Sequence, residues 1–145
     1  QAVSAALERM DEERGASVHN VSLRKLAEEL ARGRRERVTS AHLLAAMASR
    51  PGAIADLLEE RKLGTEVLLR AARASSDELD EPLRRALQRA REVASRMGVP
   101  DPSAAHLLIA LLSDRRGAAH QVIDQCGVDV SRLRAAATSS GNICS

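Results

Sequence analysis

Two ten-residue stretches decide the fold: SAHLLAAMAS at residues 40–49 and AAHLLIALLS at residues 104–113. Each follows a Thr or Ser that can cap a helix, and each continues with Ala-His-Leu-Leu. The first stretch is strongly apolar, and the second is apolar nearly all round a helix, which predicts that it is buried on most sides. The pattern is typical of a central helix that other helices cover.

The residues around the two stretches repeat as well. A shift of 64 residues, carried back to Leu23 without a gap, matches nine of 27 positions. One inserted residue then aligns GAIADLLEERKL at residues 52–63 with GAAHQVIDQCGV at residues 117–128. The repetition predicts an all-α domain of two tandem four-helix units, residues 22–74 and 79–137, packed with pseudo-twofold symmetry. We expect an extra amphipathic helix and link at residues 1–21 and a flexible tail at residues 138–145.

Composition limits the chemistry. Among 145 residues, 44% are apolar and none is Phe, Trp or Tyr, so the core must be aliphatic, and sites that stack bases or cage methylated amines on aromatic rings are excluded. Basic and acidic residues number 22 and 20, which gives no strongly basic face. Cys126 and Cys144 lack metal-ligand spacing, and we expect no metal or cofactor. No apolar run is long enough to span a membrane, so we expect a soluble, cytoplasmic protein.

The paired AHLL stretches also carry a family resemblance. Each has a capping Thr or Ser before it, and each precedes a short helix and an L/V-G/D-x-x-x-L step, at residues 63–68 and 128–133. The sequence thereby resembles, over about residues 22–137, the Clp N-terminal domain family at the front of the hexameric AAA+ unfoldases and disaggregases ClpA, ClpB, ClpC and ClpV. The resemblance implies a non-catalytic domain that recruits substrate proteins or adaptors to an ATPase ring. The chain has no GxxxxGK[ST] phosphate loop, so we do not expect it to be the motor.

Two departures from the family motif bear on the kind of ligand. The family commonly reads Gly-Thr-Glu-His before the leucines, and in the ClpC branch that glutamate belongs to pockets for phosphorylated arginine. Here Ala41 and Ala105 stand in its place, so recognition of phosphorylated arginine is not expected. The leading helix at residues 2–14 is similar to the ClpV branch, in which the domain binds a partner helix.

Candidate binding residues lie near the two capped helix starts and on the leading helix. His42 and His106 recur at one position of both copies, where a structural role in the first helical turn is favoured over metal binding or acid–base catalysis. No nucleophile, base and orienting acid can be assembled, so an enzyme is not expected. Grooves between short helices suit an amphipathic peptide or a partner helix, and the alternative is that Met47 is core and the leading helix only covers the repeat. The candidates are Val3, Leu7, Met10, Thr39, His42, Met47, Ser103 and His106.

A competing interpretation is a stand-alone helical regulator that binds nucleic acid or another protein. Arginines of two clusters could contact phosphates: Arg34, Arg35, Arg37, Arg84 and Arg85. Acidic residues lie within or just before both clusters, which disfavours this interpretation: Glu36, Asp77, Glu78, Asp80 and Glu81.

Overall fold

A computed structural model describes residues 18–72 and 81–143 of the chain, with side chains described for residues 20–72 and 81–139. Within these ranges the chain forms eight α-helices and no strand, which confirms the all-α prediction. The leading helix predicted at residues 2–14 lies outside the described residues. The helices are α1 (Val18–Gly33), α2 (Ser40–Ser49), α3 (Ala53–Glu60), α4 (Thr65–Ala72), α5 (Pro82–Arg96), α6 (Ala104–Ser113), α7 (Ala118–Gln125) and α8 (Val130–Ile143).

The two stretches quoted first form the central helices α2 and α6. Every residue of α2 from Ser40 to Met47 is buried, and so is every residue of α6 from Ala105 to Leu112. Because neither helix has a polar face along these residues, each must be covered on several sides by other helices.

The remaining helices surround these two in a repeated arrangement. Helices α1, α3 and α4 pack on α2, and α5, α7 and α8 pack on α6. Between the units, α4 packs on α7 as α8 packs on α3, and α1 contacts α6 as α5 contacts α2. These paired contacts follow a pseudo-twofold relation. The largest departure from it is that α2 packs closely on α7, whereas α6 and α3 have no contact of similar extent.

The buried hydrophobic core consists of aliphatic side chains and Met47. Its largest fully buried apolar side chains come from seven of the eight helices and the α3–α4 turn, and each contributes about 1.5–3 kcal/mol through burial. They are Leu23, Leu43, Leu44, Leu58, Leu63, Leu68, Leu107, Leu108, Leu112, Ile123 and Leu133, with Leu83 of α5 4% exposed.

Two helix ends differ from the sequence expectation. Helix α1 begins at Val18, before the predicted start of the first unit at residue 22, so Ser22 lies inside the helix. Helix α8 continues to Ile143, so residues 138–143 are helical where a flexible tail was expected. The segment contains no proline, and the Thr138 hydroxyl donates to the Arg134 carbonyl oxygen one turn earlier at 2.9 Å, a bond that a helix accommodates.

Candidate functional site

Both central helices begin with the same hydrogen-bonded box. Thr39 caps α2 and donates its backbone N–H to His42 Nδ1 at 3.0 Å, while Ser103 caps α6 and donates its N–H to His106 Nδ1 at 2.9 Å. A capping box usually has Glu or Gln at this third helical position, and histidine takes that role here. The recurrent histidines therefore have a structural function.

The two histidines differ at the other ring nitrogen. His42 Nε2 lies 3.1 Å from Glu36 Oε1, whereas His106 Nε2 is buried and has no hydrogen-bond partner. Both side chains are 1% exposed. Burial lowers the pKa of His106 below its ordinary value, because the charged ring would lose its hydration.

An open cleft lies where α3 and α6 fail to pack against each other. Its volume is about 220 Å³, its walls are almost entirely aliphatic, and it has one charged residue, Arg50. Both Met47 and Ser103, which the sequence nominates as binding residues, line it. The open cleft is lined by Leu23, Met47, Arg50, Pro51, Gly52, Ala53, Ile54, Ala55, Ser103, Ala104 and Ala105.

The pseudo-twofold counterpart of this cleft is closed. The closed cleft lies between α2, α5, α6 and the start of α7, and its volume is about 10 Å³. Ser40 Oγ accepts a hydrogen bond from the buried Ala119 N–H at 3.0 Å and joins α2 to α7. Asp114 Oδ2 lies 3.7 Å from an Arg85 nitrogen and 3.5 Å from an Arg89 nitrogen, which ties the far wall together.

Sequence differences between the copies account for this asymmetry. Under the 64-residue shift, Ser40 aligns with Ala104, which has no hydroxyl to accept a hydrogen bond. Asp114 aligns with Arg50, and Arg89 with Lys25, so two cations occupy the positions that correspond to the ion pair of the closed cleft. Neither contact that closes one cleft can form at the other.

A second concave surface, the arginine groove, lies between α5, α6 and α8 and has a volume of about 600 Å³. Its floor is aliphatic and its rim has three arginines and one acidic residue. Each helix contributes residues spaced three or four apart, which places them on one face. The arginine groove is lined by Arg89, Glu92, Val93, Arg96, Met97, Ile109, Ala110, Ser113, Arg134 and Thr138.

The other candidates from the sequence lie elsewhere. Thr39, His42 and His106 are buried in the capping boxes and present almost no surface to a ligand. Val3, Leu7 and Met10 lie outside the described residues. Met47 is 2% exposed and belongs to the core as well as to the wall of the open cleft.

Sequence reasoning missed the polar contacts that shape the clefts. Asn20 is fully buried, and its Nδ2 donates to the carbonyl oxygens of Pro102 and Ser103 at 3.5 and 3.4 Å, which links α1 to the start of α6. Sequence patterns also did not indicate Ser40 and Asp114. Their partners lie far away along the chain, and the alignment of the two copies is the one sequence signal that marks Ser40 and Asp114 as positions of changed polarity.

Comparison with known proteins agrees with this geometry. Residues 78–142 match the family model described as the Clp repeat (R) N-terminal domain. This family model covers a little under half of the chain. The structure is similar to the crystal structure of the N-terminal domain of the caseinolytic protease associated chaperone ClpD from Arabidopsis thaliana, with a TM-score of 0.69 and 17% sequence identity. That match covers 88% of this chain and 98% of the other, and no curated protein sequence matches.

The residues that the structure describes show little reactive chemistry. Ala41 and Ala105 are buried at the positions of the family glutamate, so no carboxylate stands there. Burial raises the pKa of the Cys126 thiol, which disfavours the nucleophilic thiolate. Within residues 18–72 and 81–143, no group of three His, Cys, Asp or Glu residues could hold a metal ion. None of the helices described is both long and apolar enough to cross a lipid bilayer.

Proposed function

We propose that the chain is a non-catalytic docking domain that recruits substrate proteins or adaptors to a Clp-type AAA+ ATPase, and that the open cleft is part of its binding surface. The observation that carries this proposal is the broken symmetry between the clefts. The closed cleft is held shut by a hydrogen bond and an ion pair, whereas the open cleft has aliphatic walls in contact with solvent. Exposed apolar concavities on a small domain mark binding sites.

The open cleft suits aliphatic side chains of a bound polypeptide. Leu23, Met47 and Ile54 are nearly buried residues of the lining, and the small, more exposed residues Ala53 and Ala104 leave the space between them. Such a site binds through shape and burial with few directional contacts. That mode of recognition matches a domain that must accept many unfolded sequences.

Direct measurement of binding tests the proposal. The probe is a reduced, alkylated model protein that stays unfolded and carries a fluorophore, and the readout is fluorescence anisotropy. The Ala53→Leu substitution adds a side chain at an exposed position of the open cleft and should weaken binding by about fivefold, because it occupies the space that the ligand needs.

The matched control is Ala135→Leu, at an exposed position of α8 that lines neither cleft nor the arginine groove. It adds the same apolar area outside the clefts and should leave the affinity unchanged. Equal weakening by both substitutions, or no binding by the unsubstituted chain, would contradict the proposal.

Ion pairing disfavours the alternative of a nucleic-acid regulator. Arg34 lies 3.4 Å from Glu36, Arg84 lies 3.5 Å from Glu81, and Arg85 pairs with Asp114. A mobility-shift titration with duplex DNA at low and moderate salt separates the alternatives, because binding through several phosphates weakens steeply with salt. We expect no shift at low salt.

A further inference from the structure

We infer that the arginine groove docks an acidic aliphatic polypeptide segment, one in which leucine-like side chains alternate with Asp or Glu. This inference rests on the docking function proposed above and adds a second surface with a defined preference for partner charge.

The floor of the arginine groove favours aliphatic side chains of a ligand. Val93 of α5 and Met97, the C-cap residue that follows α5, are half-buried, and Ile109 and Ala110 of α6 line the same floor and are buried. A half-buried aliphatic pair in a concave surface gains free energy when a ligand covers it. Aliphatic side chains of the ligand therefore belong on this floor.

The rim of the arginine groove favours carboxylates of a ligand. Arg96 and Arg134 stand on α5 and α8 at exposed positions, and neither forms an ion pair within the part of the chain that the structure describes. Arg89 adds a third cation, although it is also 3.5 Å from Asp114. Glu92 is the one acidic residue of the lining. Carboxylates on the ligand complement this excess of positive charge, and arginine can bind them through two parallel hydrogen bonds.

A protein ligand fits this surface better than a nucleic acid. The floor is apolar and offers nothing to a sugar–phosphate backbone, and the chain has no aromatic side chain on which a base could stack. Glu92 would repel a phosphate. Aliphatic burial combined with carboxylate pairing uses both halves of the groove.

The test compares three fluorophore-labelled peptides that share the same leucine positions and differ in the intervening residues, which are Glu, Gln or Lys. With the whole 145-residue chain at low salt, the Glu peptide should bind about tenfold more tightly than the Gln peptide, and the Lys peptide should bind most weakly. The advantage of the Glu peptide should shrink as salt rises, because the arginines are exposed.

Two sets of variants test the charged rim and the apolar floor separately. Arg96→Gln with Arg134→Gln should reduce the preference for the Glu peptide to about twofold and leave binding of the Gln peptide unchanged. Met97→Ser should weaken binding of both peptides. The control pair Arg70→Gln with Arg132→Gln removes the same charge from exposed positions outside the groove and should preserve the preference.

Each result is decisive. Equal affinity for all three peptides, or a full preference for Glu in the Arg96→Gln, Arg134→Gln variant, overturns the inference. So does binding of single-stranded DNA in place of any peptide. If the unfolded model protein still binds and Ala53→Leu still weakens that binding, the docking function stands while the charge preference falls. If the Glu peptide binds as expected but Ala53→Leu does not change the affinity for the model protein, the open cleft is not the docking surface. The arginine groove is then retained as the binding site for acidic segments.

Discussion

The capping box at the start of α6 predicts how the chain responds to acid. The His106 side chain is 1% exposed, and its Nδ1 accepts a hydrogen bond from the Ser103 N–H at 2.9 Å. A backbone N–H can only donate, so Nδ1 carries no proton and the ring is neutral. Burial lowers the pKa of His106 below 6.5, and a second proton on Nδ1 would also break the bond from Ser103.

The direction of the pH effect follows from this lowered pKa. As the pH falls through 6.5, the unfolded chain protonates His106 before the folded chain does. The unfolded state then binds more protons, so the stabilisation that is fully present above pH 6.5 is lost as the pH falls toward the folded pKa. Each pH unit within this window removes at most about 1.4 kcal/mol, and the loss at about pH 5 is at most about 2 kcal/mol.

The substitution His106→Gln isolates this effect. Glutamine is a usual capping-box residue at the third helical position and does not titrate, so the box is retained. Urea denaturation followed by circular dichroism gives the free energy of unfolding of both proteins. At about pH 8 they should differ by about 1 kcal/mol or less. At about pH 5 the original chain should have lost up to about 2 kcal/mol more than the variant. Parallel stability curves for the two proteins from about pH 8 to about pH 5 would refute the capping argument.

Three further predictions use the same denaturation measurement. Ser40→Ala should lower the free energy of unfolding by about 2 kcal/mol, because the buried Ala119 N–H loses its acceptor; no loss would mean that this bond does not join the units. Lys62→Gly should raise stability by up to about 1 kcal/mol, since Lys62 has a φ of 61°. Gly127→Ala, at the equivalent turn with a φ of 78°, should lower it by about 1 kcal/mol, and the same sign for both would contradict the strain argument. Leu108→Ala should cost about 3 kcal/mol, and a cost below about 1 kcal/mol would place Leu108 outside the tight core.

Much of the fold is predictable because several local signals coincide at the central helices. At α2 and at α6, a capping hydroxyl, an apolar run and a following helix breaker all indicate the same boundaries. The start of α1 is harder, because Ser22 looks like a cap while the helix already extends back to Val18. Asn20, inside that added turn, is held by carbonyl groups of Pro102 and Ser103 that lie far away in sequence.

The candidate site is less predictable for a related reason. Periodicity marks residues that face the core, and proximity to the two capped helix starts nominates Met47 and Ser103, which line the open cleft. It also nominates the capping histidines, because recurrence alone does not distinguish a structural role from a binding role. The arginine groove forms because α5, α6 and α8 pack together in the tertiary structure. The sequence of each helix alone contains no pattern that predicts the groove.

Positions that match between the two copies of the repeat have a different role from positions that differ. Positions that match under the 64-residue shift, such as His42 with His106, build the helix starts and the core of both units. Positions that change polarity decide the surfaces: Ser40 and Asp114 close one cleft, and Ala104 and Arg50 leave the other open. A contact that holds the units together is needed only once, so its counterpart is free to remain exposed. Comparison of a repeat with itself therefore indicates function at the positions where the copies differ, provided that the matched positions have first established which residues are equivalent.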